Sequence, residues 1–170
     1  LASLRRRLFD SAPGGGDMAD RTGEISVALG PMFSGKSSFL LDEIDARRNG
    51  GHDVVLVKHG SDDRYETDDG STATHRGGRL RHCRPDGFLG GVRIVAATRL
   101  DDPKIADALA GKTEHAPNPT AVFLDEAQFF GDPAGAAQAW AFDGFDVFVA
   151  SLDSDFAGVP FGSTAPLVAV

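Results

Sequence analysis

The residues best equipped for chemistry in this chain stand in one octet, Gly30-Pro31-Met32-Phe33-Ser34-Gly35-Lys36-Ser37. It fills every fixed position of G-x-x-x-x-G-K-[ST], the pattern of a loop that wraps nucleotide phosphates. Backbone N–H groups turned inward around Gly30 and Gly35, with the positive end of the following helix, form a concave anion site. Lys36 brings a point charge to the outer phosphates, and the Ser37 hydroxyl is of the kind that joins the coordination of Mg²⁺. A second chemical group lies far downstream, where the apolar run Ala121-Val122-Phe123-Leu124 delivers Asp125 and Glu126. Ligands of open α/β sheets gather at the carboxyl ends of strands, so this acidic pair and the Lys36 loop can share one crevice. Asp125 suits holding Mg²⁺ through its water shell, and Glu126 suits accepting a proton from an attacking hydroxyl or water. Two acids at a strand end are more often a solvated turn; the loop upstream is what favours the chemical reading.

The surrounding sequence supplies the elements that must position these groups. Residues 24–29 form a β-rich apolar run, and the spacing of Phe39, Leu40, Glu43 and Ile44 predicts a helix with one buried face. Arg47 and Arg48 followed by Gly50 and Gly51 end that helix. Val54-Val55-Leu56-Val57 is a continuous apolar run of the type covered on both faces of a parallel sheet. Residues 60–78 are polar and aperiodic, a length that in a compact domain is either functional or mobile, and the site is expected to borrow from them. Further strands are predicted at 92–96 and 145–150, and a helix at 103–109 opened by Asp101 or Asp102. Strands alternating with helices point to an α/β, P-loop NTPase-like three-layer fold with a mainly parallel sheet. The chain shows no internal repeat.

A length of 170 residues suits one domain with a sizeable core. Residues 1–22, with Arg5-Arg6-Arg7 and Pro13-Gly14-Gly15-Gly16, show no sustained period and read as a flexible leader before a domain at 23–170. The first residue is Leu1 and Met18 stands just ahead of the first strand, so an upstream extension and a start at Met18 both stay open. The arginine triplet reads first as part of a solvated tail, ahead of a targeting leader or a basic contact patch. With 25 Asp plus Glu against 17 Lys plus Arg, the formal charge of −8 argues against a general nucleic-acid or anionic-membrane surface and favours small-molecule partners. No apolar stretch is long enough for a signal-peptide core or a membrane span. The single cysteine, Cys83, excludes an intrachain disulfide framework and points to a reducing, cytoplasmic compartment.

The motifs together resemble the cellular-type (type II) thymidine kinases. The resemblance is carried by Pro31-Met32-Phe33-Ser34 inside the loop, Asp62-Asp63-Arg64-Tyr65, Asp125-Glu126-Ala127-Gln128-Phe129-Phe130, and Leu152-Asp153-Ser154-Asp155-Phe156 with Val159-Pro160-Phe161-Gly162. These occur in family order across residues 25–162. The resemblance implies transfer of the ATP γ-phosphoryl group to the 5′-hydroxyl of deoxythymidine, giving dTMP and ADP. It implies that Glu126 is the general base and Lys36 the phosphate cation. Residues 30–37 with Asp125 and Gln128 would bind the nucleotide, and Ser37 and Asp125 would serve Mg²⁺. Met32 and Phe129 would line the nucleoside pocket with Phe156 and Phe161 nearby; plain core packing weighs equally for the last two. The family usually forms tetramers and is inhibited by dTTP. Two other readings share the motifs, a P-loop ATPase of another branch and a nucleotide-binding relative without catalysis.

Two departures from the family pattern stand out. Thr74-His75-Arg76 occupies a position where the family usually carries an acid third, so a cation replaces a group associated with the metal region. Asp68 or Asp69 substitutes for it, or Arg76 contacts phosphate, or Arg76 turns to solvent. Family members also continue past Pro-Phe-Gly into a small zinc-binding domain with a lasso-like loop over the base, a domain absent from this chain. With Cys83 as the single cysteine, a Cys₄ zinc site cannot form within these residues. His75, His82 and Cys83 read as surface histidines and an inert thiol in preference to a replacement site. The chain is then either an incomplete copy of a longer protein or a reduced relative.

Overall fold

Each of the five apolar runs becomes a strand. The structure, a computed structural model, describes residues 22–60, 91–111 and 119–170 in full and the backbone of residues 2–7, 72–73 and 79–80. In chain order the elements are β1 (Ala2–Arg7), β2 (Glu24–Gly30), α1 (Lys36–Asn49), β3 (Asp53–His59), β4 (Thr72–Ala73), β5 (Arg79–Leu80), β6 (Val92–Ala97), α2 (Pro103–Leu109), β7 (Pro119–Leu124), α3 (Pro133–Phe142) and β8 (Asp146–Leu152). Short 3₁₀ turns cover Ala127–Phe129 and Ala165–Val168.

The main sheet has the order β1-β2-β8-β7-β3-β6. Its last five strands are all parallel, and β1 runs antiparallel along the β2 edge. Where the sequence shows no strand period the structure thus has a strand, with Ala2 opposite Leu29 and Arg7 opposite Glu24. Backbone pairing to an edge does not need an apolar pattern, which is why composition did not announce it. Residues 8–21 of the expected leader lie outside the described residues, as do residues 61–71 and 74–78 of the polar stretch, within which β4 pairs antiparallel with β5 beyond it.

Both faces of the parallel strands are covered, which explains their continuous apolar runs. One face carries Val54, Leu56, Phe123, Phe148 and Ala150 against Leu40 and Ile44 of α1. The other carries Ile25, Val27, Val57, Leu124 and Val149 against Ile105 and Ala108 of α2 and Ala137 and Trp140 of α3. This is the three-layer α/β arrangement. The buried stripe of α1 is Lys36, Leu40, Ile44 and Arg48, with Phe39 and Leu41 partly covered beside it; Glu43, expected on the same face, is half-buried.

The helix ends follow local chemistry. Asp102, not Asp101, caps α2, its carboxylate accepting from Lys104 N–H at 2.9 Å with Pro103 in the first turn. Asp101 instead pairs with Arg99 at the surface, where the guanidinium holds its carboxyl below the usual range. Asp132 caps α3 in the same way through Gly135 N–H at 2.9 Å. The sequence reading did not anticipate α3, because most of its inward positions are alanines, which give a weak hydrophobic period.

The amino-terminal end of the sheet is held by buried Asp146. Its carboxylate accepts from Glu24 N–H at 3.2 Å and pairs with Arg47 of α1, whose guanidinium lies 5.1 Å from the centre of the Phe148 ring. Beside it, the Gly23 position has no room for a side chain, since a Cβ there would lie 1.8 Å from Phe145 O. No helix among the described residues is long and apolar enough to cross a membrane.

Candidate active site

Parallel pairing places the carboxyl ends of β2, β8, β7 and β3 on one edge, with Gly30 opposite Leu152 and Leu124 opposite Val149. The segments leaving those ends carry the chemical groups. After β2 the chain turns through Pro31 to Gly35, with Ser34 N–H donating to Pro31 O at 3.3 Å. Phe33 (φ 63°) and Gly35 (φ 91°) both adopt left-handed backbone angles, alternating with Ser34 between them. Such alternation turns successive N–H groups to one side and makes an anion cradle. Phe33 carries a cost of about 1–2 kcal/mol for that conformation, whereas Gly35 adopts it freely. α1 then opens with no side-chain cap and no acid in its first turn, so its leading N–H groups face the cradle.

Lys36 is only 9 % exposed, and its ammonium donates to two neutral oxygens of its own loop, Pro31 O at 2.7 Å and Ser34 Oγ at 3.4 Å. Burial pushes its pKa below the ordinary lysine value, while the negative charges of Glu126, Asp153 and Asp125 act in the opposite direction. Acids leaving the ends of β7 and β8 thus act electrostatically on one lysine. Ser37 sits half-buried beside it in the first turn of α1.

Asp125 continues the sheet ladder, donating its N–H to Val57 O at 3.0 Å, and its Oδ1 accepts from Glu126 N–H at 3.0 Å. Glu126 takes left-handed angles (φ 51°, ψ 45°), the second non-glycine residue to do so among the described residues. Strain of this kind at a strand end is a recurrent feature of functional sites. The reversal sends Ala127 and Gln128 into the interior, both buried. Gln128, read from the sequence as a nucleotide contact, is 6 % exposed and lies beneath the site surface, its Nε2 donating to Glu126 Oε2.

Asp153 stands in the Leu152-to-Phe156 motif, and the sequence alone assigns it no role. It follows the apolar strand β8 as Asp125 follows β7, and that parallel was the available signal. Asp155, two residues on, is a turn builder: its carboxylate accepts from Ala157 N–H at 2.8 Å and Val159 N–H at 2.9 Å. The turn it closes is bridged by Ser154 and Pro160.

An apolar wall stands next to these acids. Phe129, 48 % exposed, has its ring 6.5 Å from Phe161 and 5.6 Å from His59, and His59 also meets Phe130 edge-on at 5.0 Å. Sequence reading did not single out His59, because it is polar and ends a strand whose other residues read as core. Met32 is exposed on the loop. Phe156 is fully exposed in the Asp155 turn, so neither core packing nor a contact with the Phe129 ring accounts for it. The motif at Asp62-Asp63-Arg64-Tyr65 and the positions of Asp68, Asp69, His75, Arg76, His82 and Cys83 lie outside the described residues.

With this geometry in hand, comparison with known proteins is informative. The family model described as thymidine kinase matches residues 23–86 and 93–170. Among curated proteins, thymidine kinase a of Arabidopsis thaliana is 31% identical over 177 residues, an alignment that takes in 99% of this chain. The chain spans 66% of that relative's length.

Proposed function

This chain belongs to the thymidine kinase family, and on that premise we propose that it transfers the γ-phosphoryl group of ATP to the 5′-hydroxyl of deoxythymidine, giving dTMP and ADP. The observation that carries the reading is the left-handed cradle at Phe33 and Gly35 leading into buried Lys36, on the same sheet edge where β7 and β8 deliver Asp125, Glu126 and Asp153.

In this reading the cradle binds the β- and γ-phosphates through backbone N–H groups, and Lys36 offsets the charge that develops as the γ-phosphoryl leaves. Ser37 and Asp125 are oxygen donors of the type Mg²⁺ takes when it keeps several waters and shares phosphate oxygens, so the donor set fits that ion. Bound there, Mg²⁺ would supply further charge neutralisation. Phe129, Phe161 and Met32 form the apolar side on which a nucleoside base and sugar rest. Glu126 accepts the proton of the 5′-hydroxyl as its oxygen forms the new bond to phosphorus, and the bond from phosphorus to the bridging oxygen of ADP breaks in line. A homotetramer, dTTP as inhibitor and a reducing cytoplasmic setting belong to the same proposal.

The test is ADP release from Mg·ATP by the full chain with and without thymidine. Release that needs thymidine and matches dTMP formation supports the proposal. Equal release without thymidine identifies an ATPase of another branch, and tight ATP binding with no turnover identifies a binding protein.

A further inference from the structure

We propose that Gln128 is a positioning residue for phosphoryl transfer, holding the Glu126 carboxylate through a hydrogen bond whose direction is fixed from behind by Ser151 and Leu152. The inference rests on the reading of Glu126 as general base.

Donors and acceptors fix the orientation of the Gln128 amide. Leu152 N–H can only donate, and it reaches Gln128 Oε1 at 2.9 Å. The Ser151 hydroxyl lies 3.2 Å from the same oxygen. An amide whose oxygen is held by two donors must present its NH₂ on the other side, where Glu126 Oε2 is. Flipping the amide would set its NH₂ against an N–H and its oxygen against a carboxylate, two repulsive contacts in a buried place. The orientation therefore follows from the chemistry of the partners.

The clamp is itself anchored. Ser163 Oγ donates to Gln128 O at 3.0 Å, Ser151 Oγ lies 3.2 Å from Thr164 Oγ1, and Thr164 Oγ1 donates to Leu152 O at 3.0 Å. Ser151 and Thr164 are buried. Hydrogen bonds from Ser163 to Gln128 O and from Thr164 to Leu152 O thus tie the segment after Phe161 to the two backbones behind the amide that reaches Glu126. Glutamate has three side-chain torsions, and a proton acceptor serves only when its oxygen is held within hydrogen-bond reach of the reacting hydroxyl. Gln128 supplies that restraint from a buried position, a role additional to the nucleotide contact expected from sequence.

The experiment compares the full chain with Gln128→Met, Gln128→Glu, Glu126→Gln and the Glu126→Gln/Gln128→Met double variant. Methionine keeps the volume and removes all three side-chain hydrogen bonds, to Glu126, Ser151 and Leu152. Gln128→Met is expected to lower kcat by about 10–100-fold with KM for ATP within about twofold. Gln128→Glu keeps an acceptor toward Leu152 and Ser151 but turns a carboxylate oxygen on Glu126, so its loss is expected to be at least as large; near-wild-type kcat in that variant would reduce Gln128 to a support for β8 and overturn the proposal. In the Glu126→Gln background the methionine change should cost nothing further, because a residue that acts through Glu126 has nothing left to position. A crystal structure of Gln128→Met should show the Glu126 side chain displaced, and an unmoved carboxylate would overturn the proposal without reference to turnover. Wild-type kcat in Gln128→Met alongside an inactive Glu126→Gln defeats this inference alone, whereas wild-type turnover by Glu126→Gln defeats the base assignment beneath it.

Discussion

The two ends of the parallel sheet use buried charge in opposite ways. At the amino-terminal end, Asp146 has its partners in hand: Arg47 as an ion pair and Glu24 N–H as a hydrogen bond. At the carboxyl end, Lys36 is desolvated and hydrogen-bonds to neutral oxygens, while Glu126, Asp153 and Asp125 raise its proton affinity without burial being overcome. One arrangement is complete within the protein and ties a helix to two strands. The other leaves a desolvated cation at a loop that we propose takes an anionic ligand. The difference separates buried Asp146, which holds the fold, from buried Lys36, which we propose acts on a ligand.

The largest expected effect comes from removing the buried cation of the loop, Lys36. Lys36→Met should lower kcat/KM for ATP by about 10³-fold or more, since a charge facing the developing phosphoryl charge acts in a desolvated site. Its thermal midpoint should change little, which a melting curve checks. A pH profile refines the point. Burial lowers the Lys36 pKa from the ordinary 10.5, and the free enzyme needs the protonated form, so kcat/KM should fall as pH rises through that lowered value. Lys36→Arg keeps its charge across the range and should lose the alkaline limb.

At the opposite end the signs reverse. Asp146→Ala should destabilise the chain by about 2–3 kcal/mol in urea unfolding, because Arg47 and Glu24 N–H lose their acceptor, while kcat of the folded fraction stays near wild type. A variant that lost turnover without losing stability would dissolve the distinction between the two ends. Smaller effects belong to the apolar wall. Phe129→Ala should raise KM for thymidine about tenfold with kcat little changed, as expected for half-buried aromatic area that binds substrate and transition state alike. Phe156→Ser, at a fully exposed position, should change both constants by less than about twofold.

What could be read from the sequence follows the same physics. The phosphate cradle is one contiguous octet built from backbone geometry, so its residues reveal it without a fold. The strands 54–57 and 121–124 were legible because two-sided burial leaves an unbroken apolar run. Asp153, His59 and the role of Gln128 were not, since each depends on which strand ends become neighbours: Asp153 gains meaning only when Leu152 lies opposite Gly30. Gln128 sits in a motif whose exposed members invite a ligand contact, yet the left-handed turn at Glu126 carries it inward. β1 and α3 were hidden for simpler reasons, an edge pairing with no apolar period and a helix whose inner face is mostly alanine.

The central claim is that Glu126 accepts the proton of a nucleoside hydroxyl at a loop that binds ATP independently. Single-turnover dTMP formation by Glu126→Gln, with ATP affinity measured on the same sample, tests it most directly. With Glu126 as the base, ATP affinity should be unchanged and dTMP formation slowed by about 10²–10⁴-fold. Formation at the wild-type rate would contradict it.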